Sequence, residues 1–155
     1  MSRFRIVLVA LAVLLLGIQL VPVDRSNPPV QGELDAPADV MAVVEESCYD
    51  CHSNETTWPW YAYVAPVSWL VAHDVEEGRE HLNFSAWTSY DADERADKLE
   101  EIWDEVEEGK MPLGKYVRLH GEAALTDADL EVLRAWTHAV RADTPLPDMG
   151  KPEQE

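Results

Sequence analysis

Apolar residues recur along most of this chain at spacings of three and four, which is the period of one face of an α-helix. No stretch shows a convincing two-residue alternation of the kind that marks a half-buried strand. The predicted helices run from Ala38 to about Asp50, from Pro66 to about Glu77, from Asp91 to Glu108, and from Thr126 onward. The pattern therefore predicts an all-α domain.

Residues at the ends of the last two segments support these boundaries. Asp91 and Glu94 have the spacing of a capping box, in which each side chain accepts from the other residue's backbone amide. Gly109 stands where the end of a helix needs a residue that adopts positive φ easily. Thr126, with Asp129 three positions later, predicts the start of the final helix.

The first twenty residues follow a different pattern. Arg3 and Arg5 precede an almost wholly apolar run from Ile6 to Val21. A short basic flank before an apolar core is typical of an export signal or a signal anchor, and a buried core helix is the less favoured alternative. We predict that residues 1–23 form an uncleaved membrane anchor helix rather than a cleaved signal peptide, because the run lacks a clear small-x-small cleavage site. The positive-inside rule would leave the N-terminus in the cytoplasm and the rest of the chain outside it.

The remainder of the chain divides by composition. Residues 24–37 are rich in proline and polar side chains, which predicts a linker. Residues 38–142 carry the helical pattern, and residues 143–155 form a tail. Two long loops, 53–65 and 109–125, interrupt the predicted domain, and loops of this length in a small domain usually serve a function.

The charge of the chain limits its partners. Twelve Lys and Arg residues stand against 30 Asp and Glu residues, which gives a formal net charge of −18 at pH 7. A surface this acidic repels nucleic acid and anionic lipid, so we predict no nucleic-acid partner. It could steer association with a basic protein, or it could simply be a well-solvated surface.

The two cysteines of the chain lie in one short stretch, Cys48-x-x-Cys51, and a histidine follows at His52. A disulfide across two intervening residues would close a very small loop and stabilise the fold little. Thioredoxin-like chemistry would need a βαβ frame, which the pattern does not predict. A zinc site would need further ligands such as His73 or His120, because adjacent residues do not easily converge on one tetrahedral ion.

Covalent haem accounts for all three residues together. Two thiols separated by one helical turn can add to the two vinyl groups on one edge of a porphyrin, and the next side chain can give the iron an imidazole ligand. C-x-x-C-H is the signature of this c-type attachment. Attachment takes place outside the cytoplasm, which agrees with the predicted anchor. We therefore favour one covalently bound haem c, held by Cys48 and Cys51, with His52 as the proximal iron ligand.

A second axial ligand would have to come from a distant loop. Met111 is the best candidate, because it follows Gly109 on the loop after the long helix and precedes Pro112, which stiffens the segment. Core packing is the ordinary role of a methionine, and an open iron site is a further alternative. The competing histidines are His73, His81, His120 and His138.

The residues also resemble a known group. "CYDCHSNETTWPWYAYVAPVSWLVAHDVEEGREHLNFSAW" and, further along, "KMPLGKYVRLHGEAALTDADLEVLRAW" are similar to the bacterial haem-binding domain family of the cytochrome c-like superfamily, over about residues 21–136. The resemblance implies a small class I cytochrome c-like fold around one haem, exported and often tethered to the membrane. It places haem attachment at Cys48 and Cys51, the proximal ligand at His52, and the Met-Pro ligand segment at Met111 and Pro112.

One stretch within the resemblance has no assigned chemistry. "GREHLNFSAW" spans Gly78 to Trp87, and we expect Phe84 and Trp87 to pack either near the haem edge or in the ordinary core.

Two functions of different kinds are consistent with this site. The favoured one is an electron carrier with His/Met-ligated iron, held at the cell membrane by its N-terminal anchor, with the haem domain on the periplasmic side and a membrane-associated redox protein as partner. The alternative is a haem enzyme of peroxidase type, or a redox or gas sensor, which would need a displaceable distal ligand. A structural module held by zinc or a disulfide is the weakest reading.

Overall fold

Seven α-helices form the part of the chain that the computed structural model describes, residues 2–143. Within that part there is no strand, and the sole sheet-like contact described is an isolated bridge between Gly32 and Ala86. The prediction of an all-α fold is confirmed. The helices are α1 (Arg3–Ile18), α2 (Ala38–Ser47), α3 (Tyr49–His52), α4 (Val67–His81), α5 (Ala92–Glu107), α6 (Gly114–Val117) and α7 (Asp127–Asp143).

The apolar N-terminal run folds as α1, but the prediction of a membrane-spanning anchor helix is not supported. α1 has 16 residues, which at 1.5 Å per residue is about 24 Å, whereas the hydrocarbon core of a bilayer is about 30 Å thick. Among residues 2–143 there is no helix with the length and apolar character needed to cross a membrane.

The core lies where α2, α5 and α7 meet, and α5 packs against α7 along much of its length. Three aromatic rings pack together in this core, one from α7 and two from the segment between α4 and α5. Trp87 contacts both Phe84 and Trp136, with ring centroids 6.1 and 6.4 Å away. The buried cluster consists of Leu34, Val40, Val43, Val44, Phe84, Trp87, Leu99, Val106, Leu133 and Trp136.

The helix ends follow the chemistry that the sequence indicates. Asp91 and Glu94 form a reciprocal capping box at the start of α5, with both side chain–amide distances at 2.9 Å. Gly109 has φ of +67° after the end of α5, as expected of a C-terminal glycine. Thr126 and Asp129 bond to each other's backbone amides at the start of α7.

Two predicted helix boundaries differ from the structure. The first predicted helix is interrupted at Cys48, where φ is −124°, so α2 ends at Ser47 and α3 is a separate single turn. The second predicted helix continues one turn beyond Glu77 to His81. Gly78 lies within this extension and is buried against the backbone of Cys51.

Residues 24–37 lack regular structure, as expected of a linker, yet they lie against the domain. The backbone amides of Gln31 and Gly32 both donate to the carbonyl of Ser85, at 2.9 and 3.0 Å. The amide of Leu34 donates to the carbonyl of Phe84 at 3.0 Å, and the Leu34 side chain is part of the core. The boundaries drawn at residues 23, 37 and 142 stay predictions, and the tail from 144 to 155 lies outside the described residues.

The long loops contain short helical pieces. The loop of residues 53–65 includes a 3₁₀ turn at Trp60–Tyr63, and the loop of residues 109–125 includes α6 and a 3₁₀ turn at Gly121–Ala123. A third 3₁₀ turn, Trp87–Ser89, precedes α5. The two loops contact each other, since the hydroxyl of Tyr61 lies 2.7 Å from Nε2 of His120.

Candidate functional site

A cavity of about 580 Å³ lies where α3, α4 and α5 meet the loop that follows α5. Its wall includes all four residues predicted to form the site, namely Cys48, Cys51, His52 and Met111. The volume falls within the range of about 300–1,000 Å³ that is usual for small-molecule and cofactor sites. Apolar side chains form much of the remaining wall: Val44, Leu82, Phe84, Ile102, Val106, Leu113, Leu125 and Leu133.

The two cysteines line the cavity as free thiols. The amide of His52 donates to the carbonyl of Cys48 at 2.9 Å, so Cys48, Cys51 and His52 share one helical turn. Burial raises the pKa of Cys48 to about 12 and that of Cys51 to about 11, so both are protonated at neutral pH. The disulfide alternative is not what the structure shows.

Two backbone carbonyls hold the imidazole of His52. Its Nδ1 lies 2.9 Å from the oxygen of Gly78 and 3.1 Å from the oxygen of Leu82. Carbonyl oxygens only accept hydrogen bonds, so Nδ1 must carry the proton and Nε2 keeps its lone pair. Burial also lowers the pKa of His52, which favours the neutral ring. Metal-binding histidines commonly donate their other ring N–H to a carbonyl oxygen in this way.

Gly78 allows α4 to approach the cysteine turn closely. A Cβ at this position would lie 2.6 Å from the backbone oxygen of Cys51, closer than real Cβ contacts come. Beyond α4, the amide of Phe84 donates to the carbonyl of His52 at 2.8 Å. The stretch from Gly78 to Trp87, which had no assigned chemistry, therefore positions His52 through three backbone groups.

Arg79 fixes the loop that leaves the cysteine turn. Its guanidinium donates to the carbonyl of Ser53 at 2.7 Å and to the hydroxyl of Thr56 at 2.9 Å. The same group donates to the carbonyl of Ser26 at 3.0 Å and to the side-chain oxygen of Asn27 at 2.7 Å. One side chain thus ties α4 to the loop after His52 and to the segment before α2. The role of Arg79 could not be predicted from the sequence, because an arginine in a helical pattern does not indicate which groups its guanidinium will bind.

The chain reaches Met111 through a tight helix ending. The amides of Gly109 and Lys110 donate to the carbonyls of Val106 and Glu105, at 3.0 and 2.9 Å, which is the pair of bonds of a Schellman motif. The amide of Met111 also donates to the carbonyl of Glu105, at 3.0 Å. The backbone is therefore held up to the residue whose side chain enters the cavity wall.

Only one of the four competing histidines lines the cavity. His81 does so from the last turn of α4, between the two residues whose carbonyls hold His52. His73 is exposed and lies 3.6 Å from Glu77. His120 is bonded to the hydroxyl of Tyr61 at 2.7 Å, and His138 contacts the ring of Trp103.

These positions bear on the zinc alternative. Within residues 2–143, no group of three or more His, Cys, Asp and Glu side chains is arranged to hold a metal ion. His73 and His120, the partners that a two-cysteine site would need, are absent from the cavity wall. The structure therefore gives zinc no support.

The polar part of the wall is built around Asp50 and Lys115. The hydroxyl of Tyr116 donates to Asp50 at 2.7 Å, and the amide of Thr57 donates to the other carboxylate oxygen at 2.9 Å. Burial, together with the adjacent Asp50, raises the pKa of Tyr116 and keeps its hydroxyl protonated. Lys115 pairs with Asp74 at 2.8 Å. These contacts join α6, which follows Met111, to the cysteine turn and to α4.

The two aromatic residues expected near the haem edge have different environments. Phe84 lines the cavity and is stacked on Tyr49, with ring centroids 5.6 Å apart. Trp87 is not part of the cavity wall and lies in the core between Phe84, Tyr90 and Trp136. Ordinary core packing describes Trp87, whereas Phe84 belongs both to the core and to the cavity wall, so its place near a haem edge stays a prediction.

The donor groups of this cavity fit a covalently held porphyrin. Two free thiols one turn apart, an imidazole with its Nδ1–H already bound, and a thioether line a mostly apolar space of suitable volume. A family model described as a haem-binding domain matches residues 13–139, which is more than half of the chain and includes all four residues. No curated protein matches the chain, and neither does any solved structure. The chain belongs to the haem-binding domain family.

Proposed function

We propose that this chain is a haem c protein that carries electrons on the outer side of the cytoplasmic membrane. The observation that carries the proposal is the fixed tautomer of His52, whose Nδ1 is held by the carbonyls of Gly78 and Leu82 beside two free thiols. Bound haem would supply reversible one-electron chemistry at its iron. The protein would supply attachment, axial ligation and an apolar surrounding.

Cys48 and Cys51 would hold the porphyrin by thioether bonds. Each thiol adds across one vinyl group, so that Sγ bonds to one carbon and the thiol hydrogen goes to the other. This addition needs no oxidant. Both thiols are free, protonated and on the cavity wall, which supports the proposal.

His52 and Met111 would provide the two axial ligands. His81 also lines the cavity, but it lies between Gly78 and Leu82, on the wall that holds His52. Met111 would bind the iron from the separate loop after α5, because its side chain lines the cavity there. The arrangement would resemble that of a small class I cytochrome, and methionine ligation would raise the reduction potential relative to bis-histidine ligation.

The location follows from the chemistry of attachment. A c-type haem is attached outside the cytoplasm, so the haem domain would lie on the periplasmic side. The side chains of α1 are exposed and mostly apolar, which supports association of the N-terminal part of the chain with the membrane. A membrane-associated redox protein would be the partner, and the charge of −18 would favour a basic contact surface on it.

Absorption spectra of the purified full chain, oxidised and reduced, test this proposal. We expect a low-spin haem spectrum in both states and little binding of carbon monoxide by the reduced protein at neutral pH. Met111→Ala should convert the ferric protein to a high-spin form and let the reduced protein bind carbon monoxide. Met41→Ala is the matched control, because Met41 packs against the core and does not line the cavity.

Two results would contradict parts of the proposal. An unchanged ferric spectrum in Met111→Ala would show that Met111 is not the ligand. Rapid and complete binding of carbon monoxide by the unaltered protein would show a vacant or displaceable site, and it would favour an enzyme or a sensor over a carrier.

A further inference from the structure

One segment of the domain surface differs from the rest of this acidic chain. Between Glu55 and Asp74 there is no Asp, Glu, Lys or Arg, although the chain has 30 acidic residues in all. Six large apolar or aromatic side chains of this segment are exposed, and Trp60 is 78% exposed. We call these six residues the aromatic face: Trp60, Tyr63, Val64, Val67, Trp69 and Leu70.

The aromatic face is one surface region. Trp60 and Tyr63 lie on the 3₁₀ turn before α4, and Val67 and Leu70 lie in the first turn of α4. The 3₁₀ turn and α4 pack against each other, which keeps the two sets of side chains together. Exposed apolar patches of this kind mark surfaces that meet a partner or a membrane.

The end of α1 is fastened beside this face. The side-chain amide of Gln19 donates to the carbonyl of Ala65 at 3.1 Å, and its oxygen accepts from the amide of Ala65 at 2.9 Å. Arg25 adds a second fastening, because it donates to the carbonyl of Ala62 at 3.2 Å and lies 4.5 Å from the ring centre of Tyr63. The exposed apolar side chains of α1 therefore continue into the aromatic face.

We propose that the aromatic face rests on a lipid bilayer, with α1 inserted beside it in the apolar layer. A bilayer suits both parts, because the side chains of α1 after Arg5 are apolar on all sides and Trp and Tyr favour the membrane–water interface. Neither the face nor α1 carries a carboxylate that headgroups would repel, whereas the whole chain has 30 acidic residues. This inference rests on the membrane association proposed above and is independent of haem.

Contact through this face would fix the height of the cofactor site above the membrane. Helix α4 begins at the face with Val67 and first lines the cavity at Asp74, seven residues later. That interval is about 10 Å along the helix axis at 1.5 Å per residue. The cavity would then stand close to the membrane surface, within reach of a membrane-bound redox partner.

Photolabelling from the membrane tests the contact. The full chain is reconstituted in phosphatidylcholine vesicles that contain a lipid with a diazirine on its acyl chain, irradiated, digested and mapped by mass spectrometry. We expect adducts on α1 and on residues 60–70, at least fivefold more than on Val140, an apolar residue of α7 that is 39% exposed. Adducts on α1 with no excess on residues 60–70 would overturn the proposal, whether that segment faces water, another protein or a second copy of the chain.

A variant tests the part played by the fastening. Gln19→Ala removes both bonds to Ala65, and we expect adducts on residues 60–70 to fall severalfold while those on α1 stay unchanged. Gln31→Ala is the matched control and should change neither. Unchanged labelling of residues 60–70 in Gln19→Ala would overturn the role of Gln19.

The same experiment separates the two proposals. A chain without adducts on α1 does not insert there, so the proposed membrane association fails together with this inference. A chain with adducts on α1 alone loses only the inference about the aromatic face. The haem assignment is decided by the absorption spectra and is unaffected by either result.

Discussion

The orientation of His52 comes from atoms far away in the chain. Gly78 and Leu82 lie 26 and 30 residues beyond it, and both act through backbone oxygens. A carbonyl on a packed helix moves little, so the imidazole is held in place before any ligand arrives. The position of α4 relative to the cysteine turn therefore decides whether the site is formed.

Adding one methyl group at Gly78 should disturb this contact. In Gly78→Ala the new Cβ would lie 2.6 Å from the oxygen of Cys51, so α4 has to shift away from the turn. We expect the free energy of unfolding to fall by about 1–3 kcal/mol, measured by denaturant titration, together with a lower yield of haem-loaded protein. Gly114→Ala is the control, because a Cβ there meets nothing within 4 Å. Equal stability of the two variants would contradict the close approach.

The elements around the cavity are joined by side chains that bridge them. Arg79 on α4 is the most extensive of these bridges, with four hydrogen bonds to two other segments. Such a residue stabilises the relative position of elements rather than any one helix. The helix ends, in contrast, depend on local capping contacts.

Removing the Arg79 side chain should loosen the loop after His52. Arg79→Ala deletes four bonds, and it leaves the carbonyl of the buried Ser53 without this donor. We expect a loss of about 2–3 kcal/mol in the free energy of unfolding, since hydrogen bonds to charged groups contribute about 1.5–3 kcal/mol. Hydrogen exchange should rise in residues 53–57. Arg79→Lys should recover only part of the stability, because lysine lacks the forked geometry. If Arg79→Lys recovered the full free energy of unfolding, a positive charge alone would be sufficient at this position.

The cap of α7 should give a pH-dependent contribution. Hydrogen bonds from Thr126 lower the pKa of Asp129 below its ordinary value of 3.8. The ionised form is therefore favoured in the folded state, so its stabilisation is present above about pH 4 and is lost as the pH falls through the lowered pKa. We expect Asp129→Asn to be less stable than the unaltered chain at pH 7, with a difference that shrinks in acid. Thermal unfolding from pH 7 to pH 3 measures this.

The hydroxyl of Thr126 belongs to the same cap, and its contribution can be measured at neutral pH. Thr126→Ala removes the hydroxyl that accepts from the amide of Asp129, and we expect the free energy of unfolding to fall by about 1 kcal/mol. A stability difference between Asp129→Asn and the unaltered chain that does not vary with pH would contradict the ionic cap.

At the scale of the molecule, charge should govern encounters with redox partners. The net charge of −18 attracts cations over distances set by the ionic strength, about 10 Å at 0.1 M salt and about 3 Å at 1 M salt. We expect the haem-loaded protein to react at least tenfold faster with a cationic one-electron reagent than with an anionic reagent of similar potential at low salt. The ratio should approach one in 1 M salt. A ratio that is independent of salt would exclude electrostatic steering.

The features that could be predicted from the sequence are those that depend on nearby residues. The capping box at Asp91, the C-terminal glycine at Gly109 and the period of α5 and α7 all arise within a few residues, and the structure has each of them. The break at Cys48 and the continuation of α4 through Gly78 depend on packing between segments, which no local pattern contains.

The candidate site also combines features that the sequence could predict with features that it could not. Cys48, Cys51 and His52 form a local signature, and Met111 could be proposed from its loop. The groups that orient His52 are backbone atoms, and every residue has such atoms, so sequence alone could not single them out. The predicted membrane-spanning anchor is not supported, because α1 contains 16 residues and an apolar composition does not determine the length of a helix.

The most direct test of the central claim is whether haem stays on the chain after denaturation. The full chain is expressed together with haem attachment machinery, denatured, and analysed by intact-mass spectrometry and haem staining of a denaturing gel. We predict a mass increase of one haem in the unaltered chain and none in the variant with Cys48→Ser and Cys51→Ser. A denatured chain without haem, in which both thiols still react with an alkylating reagent, would contradict the assignment of this protein as a haem c protein.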